Sequence, residues 1–280
     1  MITVEEDIAL PEKQKRVWEV DFLRGLMILF VVLDHFMFDV SVFCRNATTP
    51  FFQALYNASV SYHGTTSVLG VIEKVTHHSF VMMFVFLSGV SSSFSRSNVR
   101  RGVKMAVFAL AFSAITSAIE AMGVSGVTIW FNVIHVIAVC VLLWSLICFV
   151  KSKLTKVWQI NLYGVFMALF ALACLVVGYC YRYSAAGDLG VFFFLVNNTR
   201  SYYYSPADFL PLLPALGWFL IGAFLGQRLY KEKKTLFPTV DPKWVAPLTF
   251  CGKYSLWVYF GSQVVMYGFF YLFGWLLEVL

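Results

Sequence analysis

Seven stretches of about twenty mostly apolar residues dominate this chain, and their length limits what it can become. They cover roughly residues 21–43, 77–95, 102–122, 128–150, 160–180, 207–228 and 254–277. A helix rises about 1.5 Å per residue, so each stretch is long enough to cross a hydrocarbon core of roughly 30 Å. Backbone groups in lipid must be satisfied within the protein, which leaves the helix as the natural form for each segment. The expected fold is therefore all-α: a polytopic transmembrane helix bundle of about seven spans. Composition points the same way, with 60% hydrophobic and only 13% charged residues. A soluble domain carries about a quarter charged residues to solvate its surface, so lipid must cover much of this one. Residues 1–280 read as one transmembrane domain without a detachable soluble module. The first span follows Glu12, Lys13, Lys15 and Arg16, and no small-residue cleavage site follows it, so it reads as a retained span.

The formal charge of +6 would suggest nucleic acid in a soluble protein, but here the basic residues sit in short loops between apolar spans. One set of loops holds Lys13, Lys15, Arg16, Arg96, Arg100, Arg101, Lys104, Lys151, Lys153, Lys156, Arg228, Lys231, Lys233, Lys234 and Lys243. The opposite set holds only Arg45, Lys74, Arg182 and Arg200. The positive-inside tendency then predicts a cytoplasmic N-terminus, an outer C-terminus and outward-facing connections at 44–76 and 181–206. The sequons at Asn46, Asn57 and Asn197 fall in those outer connections. Of the cysteines, Cys44 and Cys180 come near outer helix ends, where a bridge could form.

Ionisable side chains within a span are expensive and mark a bundle interior, a wet cavity or a partner. The first span concentrates them at Asp21, Arg24, Asp34, His35 and Asp39. At 100° per residue, Asp21, Arg24, His35 and Asp39 share an arc of about 60°, whereas Asp34 points about 100° away from His35. His35 and Asp39 are one turn apart, where a carboxylate can orient an imidazole and support its protonation. The pair reads as a general base with its partner, or as a structural contact between helices. Asp21 and Arg24 read as a site for an anionic group, or as an ion pair at the helix start. Asn132 and His135 can face one neighbour from the fourth span. Asp208 opens the sixth, ahead of Pro211 and Pro214, which bend the helix there. Lys253 stands at the start of the seventh, where it could meet a phosphate or simply obey the charge rule. His77 and His78 open the second span at the outer interface, where exposure is expected. No metal-ligand spacing is evident, and neither Walker nor Rossmann glycines occur.

Five segments in order resemble the heparan-α-glucosaminide N-acetyltransferase catalytic-domain family, within the wider transmembrane acyltransferase superfamily. The first is Val17-Trp18-Glu19-Val20-Asp21-Phe22-Leu23-Arg24-Gly25-Leu26, leading to His35. Phe84-Val85-Phe86-Leu87-Ser88-Gly89 and Trp130-Phe131-Asn132-Val133-Ile134-His135 follow. The last two are Ala207–Trp218, with its Asp208, and Gly252-Lys253-Tyr254-Ser255-Leu256. The likeness covers about residues 16–260 and is to a short bacterial-type member, which implies an integral protein of a bacterial cytoplasmic membrane. It further implies acetyl (acyl) transfer from cytoplasmic acetyl-CoA, as co-substrate, to an amine or hydroxyl of a carbohydrate acceptor at the outer face. By position, His35 and Asp39 would be catalytic. Asp21, Arg24 and Lys253 would meet acetyl-CoA, while Asn132, His135 and Asp208 would meet the acceptor. No metal is implied; membrane lipid is the expected solvent, nucleic acid is not a partner, and oligomers remain open. The competing expectation is a small-molecule or ion transporter with an Asp/Arg/His pathway, although no internal repeat supports two inverted halves. A seven-helix receptor is disfavoured by the inward N-terminus.

Overall fold

Backbone amides solvated by lipid must bond to one another, and the computed structural model of this chain is built accordingly from helices and short turns. It describes residues 17–64, 66–154, 162–182, 192–197, 201–231, 234–240 and 242–279. Of the charges counted above, Lys13, Lys15, Arg16, Lys156, Arg200 and Lys233 lie outside those residues, as does Glu12. The helices are α1 (Trp18–Phe43), α2 (Pro50–His63), α3 (Val68–Ser93), α4 (Asn98–Ala121) and α5 (Val133–Lys153). They continue with α6 (Tyr163–Arg182), α7 (Ser201–Tyr204), α8 (Leu212–Leu229), α9 (Ala246–Lys253) and α10 (Ser255–Val279). Among the described residues, seven are long and apolar enough to cross a membrane: α1, α3, α4, α5, α6, α8 and α10.

α8 is the central post. Ala215, Phe219, Leu220 and Ala223 along it are fully buried, between α3 on one side and α6 on the other. Glycines let α8 and α3 approach closely: a Cβ on Gly222 would overlap the Phe86 carbonyl, and one on Gly89 the Phe219 carbonyl. Trp144 of α5 and Met167 of α6 fill the same core. α1, α3, α5, α4 and α10 enclose the remaining space, with Phe108 and Phe112 of α4 meeting Phe260 of α10 edge-on. Outward faces carry exposed Val, Leu and Phe, as lipid solvation requires.

The boundaries differ from the apolar runs in two main places. α3 begins at Val68, so His77 and His78 stand more than two turns inside a helix. Glu73 and Lys74 disguise its first turns in the sequence, yet Val68, Leu69, Val71, Ile72 and Val75 present an apolar face, and Ser67 caps the start by accepting from the Gly70 amide at 3.0 Å. The connection 44–76 therefore shrinks, and α2 occupies part of it. Residues 207–211 are extended, not helical, with Pro211 at the N-cap of α8 and Phe131 bridged to Phe209. The last span matches α10, and a short helix, α9, precedes it, separated from it at Tyr254. The six cysteines are free, Cys44 buried and Cys180 exposed.

α9 and α1 pack glycine to glycine. A Cβ on Gly25 would overlap the Leu248 carbonyl, and one on Gly252 would overlap the Asp21 carbonyl. Gly25 meets Leu248, whereas Gly252, one turn later on α9, meets Asp21, one turn earlier on α1, so the two helices cross in opposite directions. α9 therefore packs against the first turns of α1, with its C-terminal end beside Asp21, before Tyr254 separates it from α10. The connector before α9 is tied to α1 as well: Glu19 accepts from Thr235 Oγ1 at 2.8 Å and from the Leu236 amide at 2.7 Å. Burial and the Glu19 carboxylate push the neighbouring Tyr230 phenol up to about 12.

Gly252→Ala should force α1 and α9 apart and cost about 1–3 kcal/mol, as overpacking commonly does. Gly261→Ala, where a Cβ meets nothing within 4 Å, should not destabilise the protein. Thermal unfolding of both variants in detergent checks the pair; equal melting temperatures would contradict the close crossing.

Candidate active site

A cavity of about 600 Å³ lies inside the ring of helices, bordered by both ends of the polar stripe on α1. Its volume falls in the range of small-molecule sites. At the end nearest the basic loops, Asp21, Arg24, Arg101 and Lys253 line it. At the other end stand His35, His77, Asp208 and Tyr259. Arg24 and His35 are eleven residues apart on one helix, which separates the two groups by about 16 Å along the axis.

Three cations and one carboxylate line the basic end, leaving an excess of two positive charges, from Arg24, Arg101 and Lys253 against Asp21. Arg24 pairs with Asp21 at 3.6 Å and donates to the Leu87 carbonyl at 3.4 Å and to the Ser91 hydroxyl. Arg101 donates to Ser92 Oγ at 3.2 Å and feels the Arg24 charge. Two guanidinium groups held this close repel unless an anion lies between them, and their planar forks suit phosphate oxygens. Tyr254, Ser255, Leu256 and Trp257 continue the lining beyond Lys253, so the first turn of α10 opens onto the same space. The start of α10 therefore adds backbone donors and a positive dipole end to the cationic wall.

At the far end, the His35 ring has one defined role. Its Nδ1 is 2.8 Å from the Val31 carbonyl, an acceptor only, so Nδ1 carries the proton and Nε2 of the neutral ring keeps its lone pair. The edge of the ring meets Tyr259, with centroids 5.5 Å apart, and the Tyr259 hydroxyl donates to Asp208 Oδ2 at 3.3 Å. Asp39 is near enough to His35 for their charges to interact, yet its Oδ2 is sealed from solvent with no hydrogen-bond partner. Asp39 does not border the cavity. His77 borders the same end from the adjacent helix α3, its Nδ1 3.0 Å from Asp34 Oδ2.

Asp208 reaches the chamber because two irregular segments close this end. Ser205 Oγ donates to the Asp208 carbonyl at 2.6 Å and accepts from the Trp130 amide at 3.1 Å. The Leu210 amide donates to the Phe131 carbonyl at 3.3 Å, and the Leu212 and Leu213 amides donate to Phe194 and Leu195, each at 2.8 Å. Non-helical backbone at this depth is tolerated because protein, not lipid, satisfies it.

Of the residues expected from sequence, Asp21, Arg24, His35, Asp208 and Lys253 border this one cavity. Asn132 and His135 do not. They form a capping box on α5, in which Asn132 Oδ1 accepts from the Ile134 amide at 3.2 Å and His135 Nδ1 accepts from the Asn132 amide at 3.3 Å. The other ring nitrogen, His135 Nε2, meets Ser113 Oγ at 2.9 Å. Their proximity in sequence thus serves the helix start, while Val133 and Ile134 between them line the cavity. Sequence reasoning missed His77, Arg101 and Tyr259. His77 was hidden by the misplaced start of α3, and Arg101 by being counted only as a loop charge. His78 turns away from His77 towards α6, with Nε2 3.3 Å from the Tyr179 hydroxyl.

A family model described as "Heparan-alpha-glucosaminide N-acetyltransferase, catalytic" matches residues 16–264. No curated protein and no solved structure matches the chain.

His135→Ala should lower stability by about 1–3 kcal/mol, the usual effect of stranding buried hydrogen-bond partners. It should leave binding of a phosphate-bearing ligand in the cavity unchanged. Thermal unfolding and ligand titration on the same variant check both statements; a large loss of affinity without a loss of stability would contradict the capping role.

Proposed function

This chain belongs to the heparan-α-glucosaminide N-acetyltransferase catalytic family, and from that premise we propose which groups it joins and how. It moves an acetyl group from acetyl-CoA, admitted at the basic end, to an amine or hydroxyl of a carbohydrate acceptor at the opposite end. The observation that carries this reading is the single cavity lined by Arg24, Arg101 and Lys253 at one end and by His35, His77 and Asp208 at the other. The cationic end suits the phosphates of coenzyme A. The pantetheine arm is the part of that molecule with the reach to set a thioester beside His35, about 16 Å further along α1.

In this scheme His35 Nε2 takes the acceptor proton as the amine or hydroxyl attacks the thioester carbonyl. A carbon–nitrogen or carbon–oxygen bond forms, the carbon–sulfur bond breaks, and the departing thiolate recovers the proton from the imidazolium. Asp39, one turn away, stabilises that imidazolium through its charge. Asp208 and the Tyr259 hydroxyl bound to it are placed to hold a polar group of the acceptor. If His35 instead carries the acyl group, the same atoms run a two-step exchange with ping-pong kinetics. The basic loops favour a cytoplasmic donor side by the positive-inside tendency.

His35→Ala should lower acetyl transfer by at least about a hundredfold, the usual scale for a general base. The variant should still insert, fold and be stabilised by acetyl-CoA. Radiolabelled acetyl transfer to an added amino sugar, compared with the wild type, checks this; near-wild-type turnover would reject the role of His35.

A further inference from the structure

Asp34, like Asp39, is an ionisable residue of α1 that does not line the cavity, and it has company. Glu73 and His77, one turn apart on α3, converge on it from the neighbouring helix, and one ligating atom of each residue lies within 4.8 Å of the others. Among the described residues, no other three His, Cys, Asp or Glu side chains meet in this way. The spacing on α3 puts a carboxylate and an imidazole on one face, and the third ligand comes from a different helix. For this reason the set is invisible in the sequence.

We propose that Asp34, Glu73 and His77 bind a divalent first-row metal ion, of the zinc or manganese kind. The geometry and the charge balance argue for it together. His77 Nδ1 and Asp34 Oδ2 are 3.0 Å apart, close to the separation of adjacent ligands on an octahedral ion with bonds of about 2.1 Å and short of the roughly 3.4 Å of a tetrahedral one. Asp34 Oδ1 is sealed from solvent and lacks a hydrogen bond of good geometry, although the Tyr62 side chain stands beside Asp34. Two carboxylates at the end of a lipid-embedded bundle need more compensation than one imidazolium supplies. A divalent ion neutralises both and leaves His77 uncharged, its Nδ1 proton released to solvent when the metal binds. An imidazole among carboxylates favours zinc or manganese over calcium or magnesium.

The surroundings are polar on the remaining sides. His63 of α2 and His35 of α1 stand within charge range of Asp34. The Tyr62 hydroxyl of α2 stands beside Asp34. His77 also borders the main cavity, so an ion held here would stand at the chamber wall. It would clip α1 to α3 within the bundle. The proposal does not rest on the transfer reaction and is tested without it.

The experiment is metal analysis of protein purified without chelator, followed by thermal unfolding of the chelator-stripped protein with and without added zinc or manganese. About one bound ion per chain is expected, with a loss of melting temperature on stripping that either metal restores. Asp34→Asn and His77→Ala should each lose the ion and the restoration. His78→Ala, whose ring turns towards Tyr179, should keep both. Where a variant fails to fold, the metal content and stripping response of the wild type decide. A stripped protein whose melting temperature is unchanged, and which no added zinc or manganese shifts, would overturn the site; the two carboxylates would then share a proton.

Discussion

A charged side chain in a lipid-solvated helix must be turned towards protein or water, and this requirement on α1 organises the rest of the bundle. Asp21, Arg24 and His35 occupy one face of that helix and all border one cavity. Meeting the requirement takes an unusual wall. A continuous apolar helix beside α1 would seal the stripe in dry packing. Instead, the Gly25–Gly252 crossing brings α9 alongside α1, and the break at Tyr254 opens the start of α10 onto Arg24 and Lys253. The small face of α3 does the same on the other side, with Ser91 accepting from Arg24 and Ser92 from Arg101.

Stability and access are divided between different parts of the molecule. α8 carries the dry core, with Phe219, Leu220 and Ala223 fully buried against α3 and α6. The cavity lies on the opposite side of α3 and α5, where the ring is held by aromatic edges such as Phe108–Phe260 and by two extended segments pinned through Ser205. A rigid post on one side leaves a roomy chamber on the other without loosening the fold. Backbone irregularity is confined to the chamber and its closing loops, where protein satisfies the freed groups.

Much of this was legible in the residues themselves, because lipid makes helix existence a question of length and hydropathy alone. The α1 stripe was also legible, since a hundred degrees per residue fixes which side chains share a face. What escaped were relations between helices. Asn132 and His135 look like a binding pair by spacing, but the same spacing makes a capping box, and nothing local distinguishes the two. His77 looks like an interfacial residue until α3 is seen to begin at Val68. Arg101 counts as one more loop charge until α4 folds it against Arg24. The meeting of Asp34 with Glu73 and His77 likewise needs two helices to be docked first.

The account stands on the chamber being wet and open to a phosphate-bearing thioester from the basic end. The direct measurement places a single reactive cysteine at Ser255, beside Lys253 on the cavity wall, in a protein whose accessible native cysteines are replaced by serine. A membrane-impermeant maleimide added from the basic side should modify it, and saturating acetyl-CoA should protect it. A cysteine there that is inert from that side, or that reacts equally fast with acetyl-CoA present, would contradict the account.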